Sequence, residues 1–189
     1  MFCFQCQETA RNTGCTVRGV CGKPEDTANL QDLLIFVIKG ISVFGEKLKA
    51  LGQPDRENDD FIIKGLFATI TNANWADSWF IQNIREGLKR RDAVKAKFLA
   101  AYKAKNGKDF SGSLPDAATW FSDDPGVFKE KAKSVGVLST ENEDVRSVRY
   151  IVILGLKGIS AYAEHAAVLG YKDAAIFDFI MEGMASTTK

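Results

Sequence analysis

The sequence lacks cysteine over most of its length, because the 168 residues (189 − 21) that follow Cys21 contain none. It has a single histidine, His165, and only four prolines. One histidine leaves little material for a histidine-based metal site or for a Ser-His-Asp triad. The scarcity of proline, together with long stretches of helical periodicity, is typical of an all-α protein.

The sequence also lacks an excess of either charge and a long apolar run. Its 25 Lys and Arg nearly balance its 24 Asp and Glu, which indicates neither a nucleic-acid footprint nor a polybasic membrane anchor. The longest uncharged apolar run, LLIFVI at 33–38, is short for a membrane span, and MFCFQCQE does not resemble a signal peptide. We therefore expect a cytoplasmic protein with reduced thiols and no nucleic-acid or membrane partner.

All four cysteines lie within the first 21 residues, in the pattern C-x2-C-x8-C-x5-C. They are Cys3, Cys6, Cys15 and Cys21. Four thiolates in one short segment are the usual number for an iron–sulfur cluster, and the glycines between them allow backbone N–H groups to turn toward the sulfurs. The spacing therefore favours an iron–sulfur cluster as the bound group.

Three other interpretations of the cysteines remain open from the spacing alone. Structural zinc also takes four cysteines, although usually as two short C-x2–4-C units, of which only one is present here. Two disulfides would suit a secreted protein, and four unrelated thiols would leave the clustering unexplained. Zinc or no metal would make the chain a helical scaffold.

Other conspicuous residues are given structural roles. His165 aligns with a lysine of an internal repeat described below, which predicts a surface or boundary position rather than a catalytic one. The cluster Trp75, Trp79 and Phe80 is interpreted as core packing. We interpret Lys89-Arg90-Arg91 as a solvated helix face and Asp123-Asp124 as a helix cap.

Apolar periodicity predicts four helices before the repeat begins. They cover about 26–51, 59–71, 75–105 and 124–135, with a possible break at Arg91-Asp92 and a loop at 106–122. Asp26 or Thr27 is expected to cap the first helix, Gly52 to end it, and Asn74 to cap the third.

Residues 143–188 repeat residues 25–70 at a constant offset of 118. Lys39-Gly40-Ile41-Ser42 recurs as Lys157-Gly158-Ile159-Ser160, and the glycine pairs Gly40/Gly158 and Gly65/Gly183 are expected to mark close helix contacts. The predicted fold is all-α, with two helical bundles formed by a repeated helix hairpin. Its expected units are a cysteine-rich cluster loop at 1–24, the repeated hairpins at 25–71 plus 143–189, and an inserted helical subdomain at 72–142.

Several segments resemble a known family over nearly the whole chain. They are MFCFQCQETARNTGCTVRGVCGKPEDTANLQDLLIFVIKGI, FATITNANW, FLAAYKAKNGKDF, ENEDVRS, LKGISAYAEHAAVLG and ASTTK. They are similar to the N-terminal helical domain of hybrid cluster proteins, also called prismane proteins or hydroxylamine reductases, of the strict-anaerobe type. The resemblance implies one [4Fe–4S] cluster on Cys3, Cys6, Cys15 and Cys21.

The resemblance also implies what this chain lacks. Family members continue into two α/β domains that bind the hybrid cluster at which hydroxylamine or nitric oxide is reduced, and this chain has no cysteine after Cys21 to build that site. We therefore expect an electron-relay domain that is not catalytic alone. Its expected partners are an electron donor protein and the remaining hybrid-cluster domains. An isolated or redesigned fragment with a structural zinc or a metal-free cysteine loop is the alternative.

Overall fold

The computed structural model describes residues 1–189 and contains helices and no strand, which confirms the all-α prediction. Its six α-helices are α1 (Glu25–Ala50), α2 (Asp59–Ala68), α3 (Asp77–Asn106), α4 (Pro125–Ala132), α5 (Glu143–Val168) and α6 (Ala174–Ser186). Three short 3-10 turns lie at Ala10–Asn12, Asp116–Ala118 and Val137–Ser139.

Helix α1 forms the centre of the core. Most of its side chains are buried, and it packs against α3, α4 and α6 and against the turn Asp116–Ala118. The helix begins at Glu25 directly after the extended residue Pro24, so the prediction of Asp26 or Thr27 as its cap is wrong. Acidic residues in this first turn still favour the helix dipole. Gly52 follows the helix with a φ of 81°, as predicted for a C-terminal stop.

In the two matched hairpins, each helix packs more extensively on a helix of the other hairpin than on the other helix of its own hairpin. Helix α1 packs most extensively on α3; between the hairpins, α1 packs on α6 and α2 packs on α5, whereas α1 and α2 touch each other much less. The side chain of Lys157 in α5 donates to the carbonyl of Thr69 just after α2, at 3.2 Å. Each hairpin therefore completes the core of the other.

Three of the four matched glycines mark close contacts, as predicted. A Cβ on Gly40 would overlap the carbonyl oxygen of Ala117, and a Cβ on Gly65 would lie 2.7 Å from the side chain of Ile38. A Cβ on Gly183 would likewise lie 2.9 Å from the side chain of Leu156. The prediction is wrong for Gly158, which has no neighbour within 4 Å because it lies on an exposed face of α5.

Helix α3 runs without the break expected at Arg91-Asp92. Arg91 is 1% exposed, so the prediction of a solvated basic face is wrong at this residue. The loop after α3 folds back over Arg91. The guanidinium of Arg91 donates to the Trp120 carbonyl and to the Asp92 carboxylate. Lys89 is exposed as expected, and Arg90 lies over the ring of Phe61.

The ends of the helices correct several local predictions. Phe80 is buried and Trp79 packs against the core, but Trp75 is 42% exposed, because it lies before α3 and not within it. Asn74 does not cap α3, because the N-cap position is occupied by Ala76. The side chain of Asn74 accepts a hydrogen bond from the N–H of Ala76. Asp124 caps α4 through the N–H of Gly126 at 2.8 Å, as predicted.

Two helices are long and apolar enough to span a membrane by length and composition alone. In α1 the apolar window is 83% buried within the protein, as in the core helix of a helical bundle. In α5 the window is only 28% buried. The outward face of α5 is therefore an apolar stripe, here called the α5 stripe, formed by Val148, Ile151, Ile159, Tyr162 and Leu169.

Candidate functional site

The four cysteines lie in the loop that leads into α1, and all four are free thiols. Cys3 and Cys15 pair as an isolated antiparallel bridge, in which the N–H of each residue donates to the carbonyl of the other at 3.0 and 2.9 Å. This pairing closes residues 4–14 into a small ring. Cys15 is buried, whereas Cys3, Cys6 and Cys21 are partly exposed.

The thiol of Cys15 is surrounded by hydrogen-bond donors. The backbone N–H of Ala10 lies 3.5 Å from its sulfur and the Thr9 hydroxyl lies 3.9 Å away. Hydrogen bonds from the N–H groups of Ala10 and then Val20 lower the pKa of Cys15. The loop therefore stabilises the thiolate form of Cys15, which is the form of cysteine that binds metals.

The thiol of Cys3 has a polar and positively charged neighbourhood. The side-chain amide of Gln5 lies 3.8 Å from the Cys3 sulfur as donor, and its oxygen accepts from Lys157 at 3.3 Å. Lys157 is 4% exposed, so a buried positive charge lies one amide group away from the thiol. A charge so placed stabilises negative charge on the sulfur.

Sequence reasoning identified the four cysteines but not these supporting residues. Gln5 could have been found, since it lies between the first two cysteines of the motif. Lys157 recurs as the counterpart of Lys39 in the repeat, but only the fold brings it to the loop from 154 residues away (157 − 3).

The geometry bears on the kind of group that the loop could hold. No group of three or more His, Cys, Asp or Glu side chains converges closely enough to hold a single metal ion. In donor chemistry alone, four free thiols, the N–H groups directed at Cys15 and the buried cation Lys157 fit an iron–sulfur cluster.

His165 takes no part in the cysteine loop. It is exposed, as predicted, and the edge of its ring meets Phe67 with the ring centroids 5.4 Å apart. None of the hydrogen bonds of the cysteine loop involves it, so nothing in the geometry gives it a role at the thiols.

Comparison with known proteins confirms the family resemblance of the sequence. The chain is 69% identical over 189 residues to a hydroxylamine reductase of Nitratidesulfovibrio vulgaris and 55% identical over 188 residues to one of Halothermothrix orenii, covering 100% of this chain and 34% of each relative. A hydroxylamine reductase of Clostridium tetani is 46% identical over 205 residues, with 99% of this chain and 36% of the relative covered. The chain thus spans about a third of the length of the curated relatives it matches, at their N-terminal end. Residues 1–189 match the Prismane/CO dehydrogenase family throughout, and the chain belongs to that family.

Proposed function

We propose that this chain is an iron–sulfur electron-relay unit, with one [4Fe–4S] cluster bound by Cys3, Cys6, Cys15 and Cys21. Proteins of the prismane family carry iron–sulfur clusters. The observation that carries the proposal is the environment of Cys15, whose thiol receives N–H groups from both sides of the loop. When bound, such a cluster supplies one-electron chemistry that side chains lack.

The chain's own residues bind and tune that group. The N–H groups of Ala10 and Val20 stabilise the Cys15 thiolate, and Gln5 relays the positive charge of Lys157 to Cys3. Both effects favour added negative charge, so they raise the reduction potential. The partial exposure of Cys3, Cys6 and Cys21 supports the proposal that an electron donor protein can approach the relay.

The relatives are named hydroxylamine reductases, and we assign that activity to the longer protein rather than to this chain alone. The chain holds cysteine only in its first 21 residues, which the proposed relay cluster uses in full. In this proposal it delivers electrons in the cytoplasm, where thiols stay reduced, and the hybrid-cluster domains of the longer protein perform the reduction.

The proposal is tested by measuring iron and acid-labile sulfide per chain, on protein purified without oxygen. We expect about four of each, as a cubane cluster requires, and a broad visible absorption band that dithionite bleaches. One zinc per chain, or no metal, would instead support the helical scaffold. A ferric band without labile sulfide would also contradict the proposal, since it would show iron bound without a cluster.

The α5 stripe is the proposed docking face for the remaining hybrid-cluster domains. Ile151 is 69% exposed and Tyr162 is 81% exposed, which is unusual for large apolar side chains on a finished surface. Gly155 and Gly158 lie on the same exposed face with nothing near them, which lets a partner backbone approach closely. The two thirds of the relatives beyond the matched region supply an occupant of sufficient size.

Replacing Ile151 by aspartate should weaken that docking. We expect capture of the C-terminal two thirds of the Nitratidesulfovibrio vulgaris relative by this chain to fall about tenfold, because a charge would enter an apolar interface. The matched control is Val127→Asp on α4, which alters an exposed valine elsewhere and should leave capture unchanged. Equal capture by the Ile151 variant would place the interface off the α5 stripe.

A further inference from the structure

A cavity of about 60 Å³ lies between the N-terminal halves of α1 and α5, and Phe2 and Gln5 of the cysteine loop also line it. The repeat builds this cavity, because both hairpins contribute the same positions to its wall. The matched lining pairs, each separated by 118 residues, are Asp32 with Tyr150, Ile35 with Ile153, and Lys39 with Lys157.

The wall of the cavity carries an excess of positive charge. Its cationic side chains are Lys39, Lys157, Arg146 and Arg149, and its one acidic side chain is Asp32, which leaves a net charge of +3 (4 − 1) when all are ionised. Lys157 is buried and the other charged groups are partly exposed, so an anion within the cavity would offset the repulsion among the cations.

The two matched lysines differ in their partners. Lys157 donates to the side chain of Gln5 and to the carbonyl of Thr69, so its ammonium group has acceptors. Lys39 makes no hydrogen bond or ion pair within the chain. Burial and then the nearby guanidinium of Arg149 lower the pKa of Lys39 to about 8. Lys39 is partly exposed, and an ammonium group beside a second cation with no acceptor in the chain is free to bind an anion that enters the cavity.

We propose that this cavity binds one small oxyanion, held between Lys39 and Arg149. The volume accommodates about four atoms of water size, which suits a group such as formate or nitrate. Guanidinium and ammonium groups are the usual recognition elements for such anions. The inference concerns the helical core and does not depend on the occupancy of the cysteine loop.

The cavity communicates with the loop through one hydrogen-bonded path. Lys157 lines the cavity and donates to Gln5, which in turn lies 3.8 Å from the Cys3 sulfur. A bound anion would offset the positive charge that reaches Cys3. The oxyanion site is therefore placed to adjust the electrostatics of the cysteine loop.

Calorimetric titration with sodium formate and sodium nitrate, at constant ionic strength set by sodium chloride, tests the site on the full chain. We expect one equivalent to bind, with at least a tenfold loss of affinity in Lys39→Met. The matched control is Lys64→Met, which removes an exposed lysine of α2 and should bind as the unchanged chain does. Circular dichroism verifies that each variant is folded.

The pH dependence gives a second readout. The other charged or titratable groups that line the cavity with Lys39 are Asp32, Arg146, Arg149, Tyr150 and Lys157. Burial lowers the pKa of Lys157 to about 8, as it does that of Lys39. Since both lysines become neutral above that pH, affinity should fall as the pH rises through about 8.

Two results would overturn the site. One is the absence of any formate or nitrate binding beyond the chloride background. The other is an equal loss of affinity in Lys39→Met and Lys64→Met, which would show surface screening only. If Lys39→Met does not fold, Arg149→Gln tests the opposite wall of the cavity, and unchanged affinity in that variant would equally reject the site.

Discussion

Replacing Cys15 by alanine should abolish the four-iron cluster while the helices remain folded. Cys15 is the buried thiol of the loop and the one that receives the N–H groups of Ala10 and Val20. Its loss would remove one of the four proposed ligands and the sulfur that accepts these N–H groups. The hydrophobic core of 29 residues does not include Cys15, so the helical fold has its own support.

Iron, labile sulfide and far-ultraviolet circular dichroism on anaerobically purified protein measure this effect. We expect the iron content to fall well below about four per chain, with the helical signal retained. The matched control is Thr16→Ala, which changes the exposed neighbour of Cys15 and should keep the metal content of the unchanged chain. A complete cluster in the Cys15 variant would remove this residue from the ligand set.

Alanine at Gly40 and alanine at Gly158 should have opposite effects on stability, although the two glycines occupy matched positions of the repeat. A methyl group on Gly40 would overlap the backbone oxygen of Ala117 and would lie 3.0 Å from the side chain of Arg91. Because a backbone carbonyl cannot rotate away as a side chain can, we expect the free energy of unfolding to fall by about 2 kcal/mol. Gly158 has open space, so alanine there should raise it by about 1 kcal/mol through helix propensity.

Urea denaturation followed by circular dichroism compares the two variants with the unchanged chain. The Gly158 variant serves as the control for the Gly40 variant, since the local sequence Lys-Gly-Ile-Ser is the same. Equal effects in both variants would mean that α1 does not approach the turn Asp116–Ala118 as closely as described.

Local sequence patterns predicted most of the helices, because apolar periodicity and terminal glycines act over a few residues. Gly52 ends α1 and Asp124 caps α4, and both are visible in the sequence. The predictions that failed concern residues whose burial or contacts depend on a segment distant in the sequence. From the sequence Arg91 resembles a surface residue, but the loop that carries Trp120 covers it. Gly158 resembles a contact residue, but no side chain lies near its face of α5.

The candidate site could likewise be predicted from the sequence only in part. Four cysteines in one segment indicate a metal site from spacing alone, and that part needed no structure. One proposed tuning group, Lys157, is distant from the cysteines in the sequence and reaches Gln5 only because α5 packs beside the loop. A single sequence without aligned relatives gives no signal for such a pair.

The packing between the two hairpins affects when the chain can fold during synthesis. Helix α1 has its most extensive partner, α3, complete 35 residues (106 − 71) after residue 71, but α2 packs mainly on α5, which ends 97 residues (168 − 71) later. We therefore expect the apolar face of α2 to stay uncovered during synthesis until α5 emerges. Exposed apolar surface favours aggregation, so this interval is the step at which the growing chain should be most prone to aggregate.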